Sequence, residues 1–171
     1  LTNRISTGGA SLGDLDGDGD LELVVPMSGQ VAAYHHDGRF VSGWPVPTRA
    51  DAAYPAAVGN IDASAGAEVV IHGTGPFLGS LQAWSANGRV LSGFGMPVEA
   101  GAKAPLLLTE VDGRVAVVAT SDSDHVRDRR GQRVSKERLS LHLWQLPQAY
   151  DPATMPWPTY QHDVSRRGSA D

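Results

Sequence analysis

Acidic side chains alternate with glycines in one short stretch near the start of the chain. The acidic residues of this stretch are Asp14, Asp16, Asp18, Asp20 and Glu22. Like charges this close together repel one another, so they are unsuited to an apolar core and call for a counterion. Calcium takes about 6–8 oxygen ligands from carboxylates, backbone carbonyls and water. The stretch therefore predicts a Ca²⁺-binding loop, in which Gly19 permits the turn.

An EF-hand begins with the same residue pattern and is the first alternative. It needs a bidentate Glu at the twelfth place of its loop, and Val25 holds that place when the count begins at Asp14. The flanking residues are also strand-like, whereas an EF-hand loop lies between two helices. These departures argue against an EF-hand. A solvated acidic turn without an ion is the second alternative.

Short strand-like runs surround the acidic loop and then recur along the chain. In the first unit, residues 10–47, they are Ala10–Leu12, Leu21–Met27, Gln30–His35 and Phe40–Val46, with a hairpin turn at Asp37-Gly38. In the second unit, residues 55–98, they are Pro55–Val58, Val69–His72, Leu81–Trp84 and Val90–Val98, with a hairpin turn at Asn87-Gly88. Gly13 and Gly59 are 46 residues apart (59 − 13). The extra residues of the second unit are assigned to a glycine-rich loop at Gly73–Ser80.

A third, divergent unit covers residues 104–160. Ala104–Thr109 and Arg114–Thr120 flank Asp112-Gly113, which predicts a plain hairpin in place of the acidic loop. Leu139–Leu146 corresponds to the Leu81–Trp84 strand. The unit is interrupted by an insertion at residues 121–138 and followed by a tail at residues 161–171.

A repeat of this length that carries four short strands is typical of a β-propeller blade. The expected fold class is therefore all-β, with about three four-stranded antiparallel blades and few helices. Closed propellers have about four to eight blades, so this chain is expected to form part of a larger propeller. The remaining blades would come from elsewhere in the protein or from another chain.

The repeat resembles the FG-GAP/VCBS family, the calcium-loop repeats of integrin α-subunit propellers and of many secreted bacterial proteins. The matching text runs from Leu12 to Val25 and continues with Val31–Tyr34, Asp37-Gly38 and Gly43-Trp44-Pro45. The family loop reads D-x-D-x-D-G-x-x-[D/E] and joins the first two strands of a blade. The resemblance implies that carboxylates of Asp14, Asp16, Asp18 and Glu22 and the backbone carbonyl of Asp20 bind Ca²⁺.

The same resemblance places a weaker second loop in the second unit. Its ligand places are held by Asn60, Asp62, Ser64 and Glu68. Ala65 replaces the glycine of the pattern, and only Asp62 and Glu68 are charged, so this loop either binds an ion weakly or is a metal-free turn. The tail from Trp157 to Gly168 resembles a segment often attached to such bacterial propellers.

Composition excludes several classes of protein. The net charge is −5, which argues against nucleic-acid binding. No apolar run approaches the roughly 20 residues that a membrane-spanning helix needs. The chain has no cysteine, which excludes disulfides and thiolate metal sites. Because it begins with Leu1 rather than Met, we expect a processed product or a fragment of a secreted or cell-surface bacterial protein.

Other motifs favour structural roles. Gly9 to Gly13 matches the G-x-S-x-G nucleophile pattern, but that motif requires a strand–turn–helix context, whereas the repeat places Ser11 within a strand. The six histidines lack zinc-ligand spacing. Tryptophans recur at Trp44, Trp84 and Trp144, which predicts packing between blades, with glycan stacking as the alternative.

The insertion, Ser121–Arg138, contains six of the fourteen Lys and Arg residues but has a net charge of only +2 (six basic against four acidic residues). It is expected to be a solvated, mobile loop, or else a contact for an anionic partner or another domain.

The expected function is that of a non-catalytic, calcium-stabilised propeller module that mediates protein or glycan interactions within a larger secreted bacterial protein. The alternative is a part of a secreted hydrolase or polysaccharide lyase whose catalytic residues lie elsewhere in the parent. Propellers host unrelated functions, so both rest on the resemblance.

Overall fold

The computed structural model describes residues 9–49, 51–52, 54–74, 78–95, 97–99, 104–122, 126–127, 133–134 and 139–159. Within these ranges the chain is all-β, with one short 3₁₀ turn at Pro152–Thr154. The strands are β1 (Ser11–Gly13), β2 (Glu22–Met27), β3 (Gln30–Tyr34), β4 (Val46–Pro47), β5 (Asp51–Ala52), β6 (Ala57–Gly59), β7 (Glu68–Thr74), β8 (Leu78–Trp84), β9 (Pro97–Glu99), β10 (Leu107–Val111), β11 (Arg114–Asp122), β12 (Val126–Arg127), β13 (Arg133–Val134) and β14 (Leu139–Ala149). The all-β expectation is confirmed.

The strands form three antiparallel sheets and one short pair. The first sheet has the order β1-β2-β3-β4, and the third has the order β10-β11-β14. In the second sheet β7, β8 and β9 are neighbours, and both β5 and β6 pair with β7. Strands β12 and β13 pair only with each other in the described part. No sheet among these closes on itself.

The three sheets share one pairing register. Directly opposite residues in one row are Ser11, Val24 and Ala33 in the first sheet, Ala57, Val70 and Ala83 in the second, and Leu107, Val118 and Leu143 in the third. Opposite residues of paired strands lie on the same face of a sheet. We call the face that carries these rows the back face. The adjacent rows mark the front face: Leu12, Leu23 and Tyr34; Val58, Val69 and Trp84; Leu108, Val117 and Trp144.

The sheets stack through these faces. One buried cluster joins Val24 and Ala33 of the first back face to Val69 and Trp84 of the second front face. A second cluster joins the back face of the second sheet to the front face of the third, and includes Val70, Ala83, Leu108 and Val117. Burial of the valine and leucine side chains contributes roughly 1.5–3 kcal/mol each, so the two seams between sheets hold the molecule together.

Glycines allow close approach at equivalent points of the two seams. A Cβ atom on Gly13 would collide with Val58 of the second sheet. A Cβ atom on Gly59 would similarly press on Leu108 of the third sheet, at 3.1 Å, and on the Met155 side chain. The two seams are therefore built in the same way, with a glycine of one sheet facing a branched apolar residue of the next.

Two loop expectations are wrong. Gly73–Ser80 is not a single loop, because β7 continues to Thr74, β8 begins at Leu78, and Gly73 pairs with Ser80. Gly73 and Ser80 also pair with the neighbouring strands β5 and β9. The glycine-rich sequence alone did not predict this pairing. The insertion at 121–138 is also not simply a loop, since its first two residues end β11 and it contains the β12–β13 pair.

Residues 154–158 run along β6 of the second sheet and β10 of the third. Trp157 forms a bridge with Val58, and Leu108 donates a backbone hydrogen bond to the Pro158 carbonyl at 2.8 Å. Asn60 similarly donates its backbone N–H to the Thr154 carbonyl. The predicted tail at 161–171 lies outside the described residues.

Candidate functional site

The acidic loop lies between β1 and β2, as the resemblance implied, and gathers three of the predicted ligands. Carboxylate oxygens of Asp14, Asp16 and Asp18 lie within 4.8 Å of one another. Asp16 and Asp18 are exposed, and Asp14 is half-buried. The loop thus presents a cluster of hard oxygen donors to solvent.

Backbone N–H groups of the loop donate hydrogen bonds to these carboxylates and fix their positions. The Asp14 carboxylate accepts hydrogen bonds from the N–H groups of Gly17, at 2.7 Å, and Gly19, at 3.1 Å. The Asp18 carboxylate accepts one from Asp20 at 2.8 Å. Gly17 and Gly19 have φ values of +80° and +93°, which side chains with a Cβ rarely adopt. The glycines between the acids therefore let the chain curl around its own carboxylates.

Glu22 anchors the loop from below. Its carboxylate is wholly buried, accepts a hydrogen bond from Leu15 N–H at 2.7 Å, and lies 3.3 Å from His35 Nδ1. Burial raises the pKa of Glu22, while the Leu15 hydrogen bond lowers it and the charge of Asp16 raises it. Asp16, Glu22 and His35 form a second group of atoms within 4.8 Å of one another.

His35 was not predicted as part of this site. Strand β2 pairs with β3 so that Leu23 lies opposite Tyr34. Glu22 precedes Leu23 and His35 follows Tyr34, so the same antiparallel register brings His35 to Glu22. Met27 lies opposite Gln30 across the Ser28-Gly29 turn, and a register counted outward from that turn could have found this contact. The Asp20 carboxylate lies 3.5 Å from His36 Nδ1, whereas the ligand that the resemblance assigns to Asp20 is its backbone carbonyl.

The chemistry of the donor set fits a hard cation. Asp14, Asp16, Asp18 and Glu22 would hold Ca²⁺ through carboxylate oxygens, which this ion prefers. A bound ion would neutralise their mutual repulsion and crosslink the loop. Such an ion supplies structure, whereas a catalytic metal also needs an open coordination position and a base.

The second loop has the same frame as the first. Glu68 is wholly buried and accepts a hydrogen bond from Ile61 N–H at 2.8 Å, as Glu22 does from Leu15. Asn60 accepts one from Ala63 N–H at 3.0 Å, as Asp14 does from Gly17. The two loops lie side by side, since residues of both line a cavity of about 280 Å³.

Hydrogen bonds close the second loop where carboxylates face each other in the first. The Ser64 hydroxyl donates to the Glu68 carboxylate at 2.8 Å, and the Asn60 amide donates to the Ser64 carbonyl at 2.8 Å. Asp62 accepts a hydrogen bond from Ser64 N–H. Burial raises the pKa of Glu68, as it does for Glu22. The four predicted ligands are therefore brought together, but mainly as partners of one another.

A cleft of about 610 Å³ opens beside the second loop, between the second and third sheets. Its apolar walls include Phe94 and Trp144, both half-buried, and its polar groups include Asp62, Gln145 and Gln148. Trp144 stacks on the His142 ring with centroids 5.4 Å apart. The equivalent space between the first and second sheets is filled by a side chain.

Trp44 fills the space between the first and second sheets. Its indole N–H donates to the Ala86 carbonyl at 2.8 Å, and its ring lies 6.5 Å from that of Trp84. Both tryptophans are buried, at 6% and 2% exposure. Phe94 is the smaller counterpart of Trp44, and β14 runs straight where the second sheet turns at Asn87-Gly88. The space therefore stays open in the second seam.

A serine–histidine pair lies near this cleft. Ser121 Oγ is 2.8 Å from His142 Nε2, a nucleophile–base distance. Ser121 is wholly buried, and no ion pair links His142 to a carboxylate in the described ranges. Ser11, of the G-x-S-x-G match, is also buried within β1 and donates to the Ala56 carbonyl. Neither serine has the access that a nucleophile needs.

No described helix is long and apolar enough to span a membrane. Comparisons with protein-family models, curated proteins and solved structures gave no match. The functional argument therefore depends on the two loops, the stacked sheets and the cleft.

Proposed function

We propose that this chain is a non-catalytic, calcium-stabilised β-propeller module of the FG-GAP/VCBS type, which mediates protein or glycan interactions within a larger secreted bacterial protein. The observation that carries the proposal is the convergence of the Asp14, Asp16 and Asp18 carboxylates above the buried Glu22. Three carboxylates within 4.8 Å of one another are unfavourable without a counterion.

The shared register of the three sheets supports the propeller assignment. The sheets are antiparallel, and the back faces of the first and second sheets pack on the front face of the next sheet through equivalent rows. Propellers repeat four-stranded sheets in this radial manner. The first sheet has four strands, the second has five, and three are described in the third.

Calcium is proposed to stabilise the first loop rather than to create the fold. Extracellular modules bind Ca²⁺ with Kd of roughly 10⁻⁴–10⁻³ M. At about ten times Kd, an ion that binds only the folded state adds roughly 1.4 kcal/mol. For a domain of this size, this corresponds to an increase of roughly 3–6 °C in Tm.

The first prediction concerns this stabilisation. Replacing Asp16→Ala together with Asp18→Ala removes two of the converging carboxylates, so the increase in Tm on adding calcium should disappear. Thermal melting with calcium and with chelator measures this. The matched control is Asp37→Asn together with Glu110→Gln, which removes two charges outside the loop and should preserve the increase. A wild-type Tm that is the same in calcium and in chelator contradicts the calcium proposal.

The cleft between the second and third sheets favours a glycan as the ligand. Sugar rings stack their apolar faces on aromatic side chains, and their hydroxyls bond to carboxylates and amides. Trp144 and Asp62 supply such groups across the cleft. Trp44 and Trp84 are buried and cannot act as platforms, so the glycan alternative reduces to Trp144.

The second prediction follows from this geometry. Trp144→Ala should weaken binding of an oligosaccharide by about tenfold or more, because it removes the aromatic platform. Titration calorimetry with soluble chito-, cello- and laminari-oligosaccharides provides the measurement. Phe40→Ala, at a half-exposed aromatic on the first sheet, is the control. Binding that is unaffected by Trp144→Ala, or absent for every sugar, rules out this cleft as a glycan site.

Catalysis, if the parent protein performs it, is proposed to reside in other parts of that parent. The buried Ser121 is the nearest approach to a nucleophile in the described part of the chain. Assays of the isolated chain on polysaccharides and peptides test the non-catalytic proposal directly. Cleavage of any of these substrates would overturn it.

A further inference from the structure

Among the described residues, the first and third sheets each expose apolar side chains on one face. On the back face of the third sheet, Leu141 is 70% exposed and Leu143 is 50% exposed. Leu107 and Val118 of the same face are half-buried. On the front face of the first sheet, Leu23 is 41% exposed, and the half-exposed Phe40 stacks on Tyr34 beside it.

The covered sheets show what normally lies on these faces. The pairing register makes Leu141 and Leu143 equivalent to Leu81 and Ala83 of the second sheet. Leu81 and Ala83 are 0% and 1% exposed, because the front face of the third sheet covers them. The same positions of the first sheet, Val31 and Ala33, are wholly buried under the second sheet.

The front face of the first sheet is the matching half of this contact. By register, Leu23 and Tyr34 are equivalent to Val69 and Trp84. Val69 and Trp84 are the residues with which the second sheet covers the back face of the first. One end of the stack therefore has the face that the other end lacks, and both seams inside the chain already use this pair of faces.

We propose that a second copy of this chain docks head-to-tail, with the front face of its first sheet on the back face of the third sheet. This inference rests on the proposed propeller and names its partner. A contact between two different surfaces closes into a ring when the rotation permits. Two copies with three sheets each would give a ring of six sheets, within the range of about four to eight blades found in propellers.

Three residues make the new seam differ from the internal ones. Thr109 stands where Gly13 and Gly59 admit the next sheet. The docked sheet therefore lies slightly farther from this point of the third sheet. The larger Leu141 and Leu143, in place of Val31 and Ala33, extend toward the gap.

The experiment measures the mass of the full chain in solution by light scattering and sedimentation. The wild type should be a dimer. Leu143→Glu on the back face and Leu23→Glu on the front face should each give a monomer, since each variant spoils both contacts of a closed pair. An equimolar mixture of the two variants should restore dimers, because the intact front face of one meets the intact back face of the other. Val90→Glu, at a 74% exposed position of the middle sheet, is the control and should remain dimeric.

The outcomes separate the possibilities. A monomeric wild type overturns the inference, as does a dimer that either variant leaves intact or a mixture that stays monomeric. Melting with calcium and with chelator on the same samples distinguishes this failure from that of the proposed function. A monomer that still gains stability from calcium contradicts only the dimer. A dimer that is indifferent to chelator contradicts only the calcium proposal.

Discussion

Two buried glutamates show how single residues fix the loops. Glu22 and Glu68 each accept a hydrogen bond from the backbone N–H seven residues earlier, on Leu15 and Ile61. Leaving such an N–H unpaired would cost about 1–3 kcal/mol. The loops then diverge at their third ligand place, where Asp18 has a charge and Ser64 has a hydroxyl that bonds to Glu68. A hydroxyl at this place can donate a hydrogen bond to the buried glutamate, whereas an ionised carboxylate can only accept hydrogen bonds.

A buried histidine gives the third prediction, at the residue scale. His72 is 3% exposed, and neither ring nitrogen has a hydrogen-bond partner. Burial lowers the pKa of His72 to about 4, with a further contribution from His142, which faces it from the third sheet. Between pH 6.5 and 4, His72 is therefore protonated in the unfolded chain and neutral in the folded chain. The contribution of His72 to the free energy of unfolding is therefore fully present above pH 6.5 and falls as the pH drops, by about 2 kcal/mol from pH 7 to pH 5.

Urea unfolding at pH 7 and pH 5 measures this loss. His72→Leu should remove most of it, because leucine has no proton to bind. His36→Gln, at a side chain that is 72% exposed, should leave the wild-type loss unchanged. An equal loss in the wild type and in His72→Leu would mean that another group is responsible.

Hairpin turns serve as contact points between elements. Gly38 and Gly88 donate to the His35 and Ser85 carbonyls at 2.9 and 2.8 Å, which closes the same turn in the first and second sheets. The turn of the second sheet also receives Gly43 from the first, and a Cβ atom on Gly43 would overlap the Asn87 carbonyl. The segment before β4 is thereby locked against the neighbouring sheet.

The fourth prediction compares two glycines at the element scale. Gly43 and Gly93 have φ values of +88° and +86° and occupy equivalent places, but Gly93 has no atom within 4 Å of an added Cβ. Gly93→Ala should cost about 1–2 kcal/mol for its left-handed backbone. Gly43→Ala carries the same cost plus overlap with the Asn87 backbone, so we expect about 3 kcal/mol or more. Denaturant unfolding of both variants measures the difference, and equal costs would mean that the first seam is looser than described.

At the scale of the whole molecule, repeat spacing was the most informative signal. The turns at Asp37-Gly38, Asn87-Gly88 and Asp112-Gly113 predicted where strands reverse, because these dipeptides suit left-handed turns. Alternating apolar residues predicted the central strands of the three sheets. The closing runs Phe40–Val46 and Val90–Val98 were wrong over most of their length, because the strands there are only Val46–Pro47 and Pro97–Glu99. The acidic spacing predicted which side chains of the first loop would converge. Local chemistry determines each of these features, so one sequence was sufficient to find them.

Features that depend on a neighbouring sheet could not be predicted in this way. Glycine has little strand preference, so Gly73 looked like part of a loop, although pairing with Ala52 and Ser80 makes it part of a strand. The contact of His35 with Glu22 depends on strand register. The cleft beside Trp144 exists because Phe94 is smaller than Trp44 and β14 does not turn, a comparison that requires both seams.

Leu15 gives the first loop a reach beyond its own residues. It lies inside the acidic stretch, yet it is wholly buried in the cluster between the first and second sheets and is tied by its N–H to Glu22. The loop therefore contributes to the packing between the first and second sheets as well as to the surface. With the proposed ion bound, the calcium concentration of the surroundings would set how often this contact separates. A compartment poor in calcium would then weaken the packing between the two sheets while each sheet stayed folded.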